Sequence, residues 1–292
     1  MHLSAVLQAL LVTFLWSTSW VLIKIGLQAN LPDLTFAGLR YSLAFLCLLP
    51  FALGKPAYRN DLRRLSPSTW GQLFLLGIVY YTLTQGAQFA SLAYLPAATL
   101  SLLLNFTPLI VALFSGLGSS ETPTFIQWTG IALSTVGGLV YFLPLEIPAG
   151  QVSGLVIALV CLLANASASI LGRQANRYSR LSPILITTIS MGLGGVLLLI
   201  SGILTQGFGA LSATQWLIVG WLAVVNTAIA FTLWNHTLRT LTAVESSILN
   251  GTMLPQIAIL AWLFLGEALS VKQILALALV GAGALIVQLT RK

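Results

Sequence analysis

Apolar stretches of roughly 20 residues, separated by short clusters of proline, glycine and charge, recur along the whole chain. Ala5–Ile23, Leu65–Ser120 and Leu181–Thr237 contain no Lys, Arg, Asp or Glu. A helix rising about 1.5 Å per residue needs about 20 apolar residues to cross a hydrocarbon core of roughly 30 Å, so each stretch holds at least one crossing. The clusters predict ten helices, over residues 4–26, 34–53, 70–93, 96–117, 125–143, 152–172, 183–203, 212–235, 242–265 and 271–289, called spans 1 to 10 below. The predicted fold class is an all-α polytopic membrane protein with ten transmembrane helices. The first apolar run continues to Lys24 with no basic leader ahead of it, and it is expected to be a retained span and not a signal peptide.

Composition strengthens this picture. Of 292 residues, 58% are apolar and 7% charged, too little polar cover for a surface in water. The excess of 13 Lys and Arg over 6 Asp and Glu does not indicate nucleic-acid binding, because the basic residues sit in short connections between apolar runs. With the N-terminus inside, one side collects Lys55, Arg59, Arg63, Arg64, Arg173, Arg177, Arg180, Arg239, Arg291 and Lys292, and the other little beyond Lys24 and Lys272. The positive-inside rule then places both termini in the cytoplasm, for a multi-pass protein of the cell inner (plasma) membrane. Its expected surroundings are the lipid bilayer, with a monomer as the expected state. Cys47 and Cys161 lie in apolar runs without metal-ligand spacing, and His2 and His236 are the two histidines. No cofactor, metal or catalytic motif is therefore expected, and an enzyme is not.

The two halves resemble each other. Glu121–Phe142 aligns without gaps on Glu267–Gln288, matching Glu121 with Glu267, Gln127 with Gln273, Ala132 with Ala278, Leu133 with Leu279 and Gly137 with Gly283. Pro108 faces Pro255 after a one-residue gap, and capping-box pairs Thr124/Gln127 and Ser270/Gln273 open spans 5 and 10. The halves, residues 1–145 and 150–292, are read as two five-helix repeats forming one transport domain. Five is odd, so the second copy is inverted relative to the first, an architecture that lets two halves exchange conformations around a central site.

Leu15-Trp16-Ser17-Thr18-Ser19-Trp20 followed by Lys24, the Thr107-Pro108 and Leu254-Pro255 steps, and the Gly266-Glu267 turn before span 10 are motifs in which the chain resembles the drug/metabolite transporter superfamily, specifically its EamA-type members. The resemblance covers essentially the whole chain. Among those members it looks most like the YddG-type exporters of amino acids. It implies a central cavity lined mainly by spans 1, 3, 4, 6, 8 and 9, with spans 5 and 10 packed at the side. It also implies a secondary transporter that exports small organic metabolites, such as aromatic or other neutral amino acids, by alternating access.

Polar residues at mid-membrane depth are either packing contacts or part of a pathway. By depth, the candidates for substrate contact are Trp16 and Ser19 in span 1, Tyr80, Tyr81 and Gln85 in span 3, and Asn105 in span 4. Asn165 in span 6, Asn226 in span 8, and Asn250 and Thr252 in span 9 complete the set. Adjacent Tyr80 and Tyr81 lie about 100° apart on a helix, so one of them is expected to face the cavity. Aromatic faces beside amides and hydroxyls suit an uncharged or zwitterionic solute with an apolar part. Spans 3, 4, 6 and 8 bring no midplane Lys or Arg for a polyphosphate, and span 1 no midplane carboxylate for proton-coupled cation exchange. Arg40, with Asp33 as a possible partner, and Glu245, near Arg239 and His236, are candidates for gating or for structural clusters. Pro108 and Pro255 are candidate hinges. Transport of another small metabolite or drug, or an uncoupled facilitator or channel, remain the alternatives.

Overall fold

The computed structural model describes residues 2–28, 31–118, 123–143, 149–178, 181–266 and 270–289, and every regular element among them is helical. Glu121 and Glu267 of the aligned segments lie outside the described residues. In chain order the first half contains α1 (His2–Gln28), α2 (Asp33–Gly54), α3 (Pro56–Arg63), α4 (Pro67–Gly77), α5 (Gly86–Tyr94), α6 (Ala97–Leu104), α7 (Thr107–Gly118) and α8 (Phe125–Phe142). The second contains α9 (Val152–Tyr178), α10 (Pro183–Gln206), α11 (Ala213–Ala223), α12 (Ala230–Thr237), α13 (Ala243–Gly251), α14 (Met253–Leu265) and α15 (Val271–Leu289). Wide π turns, Ile78–Gln85 and Val224–Ile229, join α4 to α5 and α11 to α12 without interrupting the helical run.

Among the described residues, six helical runs are long and apolar enough to cross a membrane: His2–Leu27, Asp33–Gly54, Val152–Arg177, Pro183–Gln206, Ala213–Thr237 and Ala243–Leu265. Shorter apolar helices cover Thr99–Phe114, Phe125–Val140 and Val271–Val287. Their outward surface is itself apolar. Phe125 is 82% exposed, Leu204 80% and Leu217 75%, which water would penalise and lipid tails accept. One element is not anticipated by the apolar pattern: α3 forms in the basic connection after α2, where Pro56 takes the first helical turn, in which its missing N–H costs nothing.

Helix ends follow local chemistry. Thr124 and Gln127 form the expected capping box on α8, with the Gln127 amide donating to Thr124 Oγ1 at 3.3 Å and the Thr124 amide to Gln127 Oε1 at 2.9 Å. Ser270 and Gln273 repeat it on α15 at 3.3 and 2.8 Å. Lys24 donates to the carbonyls of Leu92 and Leu95 at 2.7 and 2.6 Å, satisfying the C-terminal end of α5.

Two close helix pairs frame the bundle. α2 runs along α10, and α8 along α15. Gly38 lies against the backbone of Leu199, and a Cβ on Gly202 would sit 2.5 Å from the Thr35 amide nitrogen. On the other pair, a Cβ on Gly130 would sit 2.7 Å from the Gly283 carbonyl and one on Gly137 2.8 Å from that of Ala276. Lipid tails are as apolar as leucine, so backbone-to-backbone van der Waals contact is what holds such pairs together. The face of α15 in close contact with α8 therefore includes Ala276, Gly283 and Val287, while Ala278 is exposed.

Gly38→Leu is expected to destabilise the protein by about 1–3 kcal/mol, or to stop it folding, because the neighbouring atoms are backbone and cannot rotate away. Gly220→Ala, at a site with nothing within 4 Å, is expected to cause no loss. Thermal unfolding in detergent measures both; equal, small shifts would contradict the packing.

Candidate functional site

Helix irregularities converge on the middle of the bundle. α6 ends at Leu104 and α7 begins at Thr107, while α13 ends at Gly251 and α14 begins at Met253. At the two breaks, Asn105 (φ −66°, ψ −12°) and Thr252 (φ −65°, ψ −12°) share one conformation. Pro108 and Pro255 each follow three residues later, and with no N–H to offer they leave the Leu104 and Gly251 carbonyls without their usual helical donor. The π turns add a second distortion. In each, a threonine hydroxyl donates to the carbonyl five residues back, Thr84 to Val79 at 2.7 Å and Thr227 to Leu222 at 2.7 Å.

These segments border a cavity. Trp16, Ser19, Tyr80, Gln85, Asn105, Asn165 and Asn250 of the predicted set line it, as does Arg40. Trp20, Tyr41, Gln88, Ser101, Phe231 and Met253 also line it and are not in that set. Trp16 and Trp20 lie in the second half of α1 and Arg40 in the first half of α2, which places the cavity toward the end of the bundle opposite His2. Toward the other end it rests on packed rings. Phe231 lies 4.8 Å from Trp16, 5.3 Å from Tyr80 and 5.3 Å from Tyr81 between centroids, and Trp16 lies 5.0 Å from Trp234. One turn beyond, Asn176 donates to Asn235 at 2.6 Å and Asn235 to Thr187 at 2.8 Å, all three buried.

The remaining predicted residues stand behind the lining or away from it. Of the tyrosine pair, Tyr80 faces the cavity, while Tyr81 is fully buried against Tyr41 and Phe231. Asn226 is fully buried, donating to the Leu15 carbonyl and, at 3.0 Å, to Thr18 Oγ1. Thr252 donates to the Leu249 carbonyl at 2.6 Å and lies 3.4 Å from Thr13 Oγ1. Glu245 closes a capping box with Thr242 and has His2 Nε2 at 3.5 Å, His236 pairs with Gln8 at 3.0 Å, and Arg239 donates to the Leu181 carbonyl at 2.5 Å.

Arg40 is 2% exposed, with Nε donating to Thr227 Oγ1 at 2.6 Å and Nη2 to the Asn226 carbonyl at 3.1 Å. Tyr41 lies beside it, the guanidinium carbon 5.2 Å from the ring centre, and donates its own hydroxyl to Gln85 Oε1 at 2.5 Å. Asp33 is not its partner: the carboxylate accepts from the Leu34 amide at 2.8 Å and from Gln206. Seven residues of helix separate Asp33 from Arg40 by about 10 Å along the axis. Trp16 Nε1 and Asn250 Oδ1, both on cavity-lining residues, have no hydrogen-bond partner among the described residues. No three His, Cys, Asp or Glu side chains converge among those residues. The arrangement suits holding a small amphiphilic solute by stacking and hydrogen bonds.

The profile of the EamA-like transporter family matches residues 3–143 and, a second time, residues 152–289. The chain belongs to the EamA-like transporter family. It is thus a multi-pass membrane transporter. An uncharacterized transporter of Bacillus subtilis, YvbV, is 32% identical over 213 residues, covering 71% of this chain and 66% of that protein, just under two thirds of its length. A protein of Chlamydia trachomatis serovar L2 named S-adenosylmethionine/S-adenosylhomocysteine transporter is 28% identical over 271 residues, 87% of this chain and 80% of that one. A solved structure titled only as a crystal structure of a protein superposes with a TM-score of 0.76 at 20% identity, covering 99% and 98% of the two chains, which shows the shared fold.

Thiol labelling checks the cavity in this EamA chain. In a Cys47→Ala background, Asn250→Cys is expected to react with a water-soluble maleimide at least about tenfold faster than native Cys161, which is buried and donates to the Thr84 carbonyl. Equal rates would mean that Asn250 does not face an aqueous cavity.

Proposed function

We propose that the chain is a secondary carrier that exports small organic metabolites, most of all amino acids, by alternating access through the central cavity. The observation that carries this reading is the meeting of two discontinuous helices, broken at Asn105 and Thr252, beside a cavity lined by aromatic rings and amides. Irregular backbone at membrane depth is tolerated where it borders such a cavity, and it gives a bundle points about which to bend. In this reading ten spans form two inverted five-helix repeats, a reading supported by the double match of the family profile. Pro108 and Pro255 act as paired hinges. With the basic connections in the cytoplasm, both termini are internal and the cavity lies toward the outer face of the inner membrane.

A second reading is favoured by one relative. The transporter named for S-adenosylmethionine and S-adenosylhomocysteine aligns over 87% of this chain. Such a solute joins an amino-acid end to an aromatic base, and both ends find complementary groups among the rings and amides here. It shares the amino-acid end with the leading proposal.

Purified protein in liposomes loaded with unlabelled amino acid is expected to show saturable counterflow of the labelled one. Conductance without saturation would favour a channel, and the absence of flux for every metabolite tried would overturn the proposal. Among the described residues no carboxylate lines the cavity, so flux is expected to follow the solute gradient alone. Accumulation driven by an imposed pH gradient, and abolished by Glu245→Gln, would show proton coupling instead.

A further inference from the structure

Among the described residues, Arg40 is the one strongly charged group on the cavity wall. A guanidinium offers five N–H donors. Nε and Nη2 are engaged by Thr227 and by the Asn226 carbonyl, and among the described residues nothing accepts from Nη1. Nor does a carboxylate among the described residues balance the charge, since Asp33 is bonded to Leu34 and Gln206 and Glu245 lies beside His2. A cation so deeply placed is costly unless something compensates it, and intramembrane charges of this kind mark solute pathways.

The setting of Arg40 is built and not incidental. The π turn Val224–Ile229 supplies both acceptors, the Thr227 hydroxyl and the Asn226 carbonyl, from consecutive residues. Two bonds on one side of the guanidinium fix its plane, and Asn226 is itself anchored to α1 through Leu15 and Thr18. The unengaged donors therefore belong to a group that is already oriented, so little freedom is lost when an anion binds. On the same cavity wall, Asn250 Oδ1 is an acceptor without a partner and Trp16 Nε1 a donor without one.

We propose that Arg40 receives the carboxylate of the transported solute, with Asn250 accepting from its ammonium group and the rings of Trp16, Tyr80 and Phe231 holding its apolar end. This inference rests on the carrier reading above and narrows it to α-amino acids and their conjugates. A single cation among neutral amides and rings matches one carboxylate; a dianionic phosphate asks for more positive charge than this wall offers.

Competition in the counterflow assay tests it, using L-tryptophan and L-methionine against their amides, their decarboxylated amines and their aminophosphonate analogues. With the wild-type protein, the free acids are expected to compete at least about tenfold better than the amides or amines, the range of a charge-assisted hydrogen bond. In Arg40→Met that advantage is expected to fall to about onefold, and Arg40→Lys to retain part of it. Thermal stabilisation by the same compounds in detergent gives a readout that does not require transport. If the wild-type protein treats acids and amines alike, or prefers the phosphonates, the assignment fails while the carrier reading stands. An unchanged acid-to-amine ratio in a folded Arg40→Met protein that binds both more weakly would make Arg40 structural and overturn it as well. Absence of both flux and stabilisation with every compound would overturn the amino-acid reading together with this inference.

Discussion

Inside a hydrocarbon layer no water is at hand to satisfy a backbone N–H or carbonyl, so every departure from regular helix must find a partner in protein or border a wet cavity. The described helices of this chain obey that constraint closely. Where the π turns widen, Thr84 and Thr227 fold their hydroxyls back onto carbonyls of the preceding turn. Where α6 and α13 stop, Asn105 donates to the Ser134 carbonyl at 3.0 Å and Thr252 to that of Leu249. Of the buried polar atoms left without a partner among the described residues, Trp16 Nε1 and Asn250 Oδ1 belong to cavity-lining residues, while Tyr81 Oη, Asn176 Oδ1 and Asn226 Oδ1 are packed behind the lining or beyond it.

The same constraint divides the molecule into stiff and adaptable parts. Glycine contacts between α2 and α10 and between α8 and α15 bring backbones together and leave little room to shift. Between these two ribs lie the broken helices and the π turns, cross-linked by side chains that can exchange partners. Ser17 donates to Gln256 at 2.9 Å, and Asn165 to Thr107 at 3.2 Å. Such bonds are worth about 0.6 kcal/mol each in a membrane, weak enough to be traded when a bundle rocks. Rigid ribs with an adaptable middle suit the carrier proposed above.

Legibility from sequence followed the strength of each physical signal. Apolar length identifies the crossing helices, and the capping boxes at Thr124 and Ser270 are written in side chains whose only local use is that geometry. Pro108 and Pro255 mark the two breaks through their missing N–H groups, although Pro50 sits inside α2 without ending it. Mid-depth polarity is a weaker guide. It finds Gln85, Asn105 and Asn250 on the cavity wall, but it also picks Asn226, which braces Arg40 from behind. Tyr41 and Phe231 are invisible to it, since an aromatic ring in an apolar run looks the same facing lipid, as exposed Trp221 does, or facing a cavity. The π turns carry no sequence mark at all: Ile78–Gln85 reads as ordinary helix, and only packing against α9 and α10 shows where it widens. Arg40 is conspicuous in sequence, but its partner is not, because Asp33 is near in the chain and Thr227 is near in space.

The central claim is that irregular backbone is admitted here because it borders a wet cavity. Amide hydrogen–deuterium exchange of the protein in lipid nanodiscs tests this most directly. The account predicts that amides at Asn105–Thr107, at Gly251–Met253 and in Ile78–Gln85 exchange faster by orders of magnitude than those of α2 and α10 around Gly38 and Leu199. Equal protection across both sets would contradict it, leaving the breaks as dry bends in a static bundle.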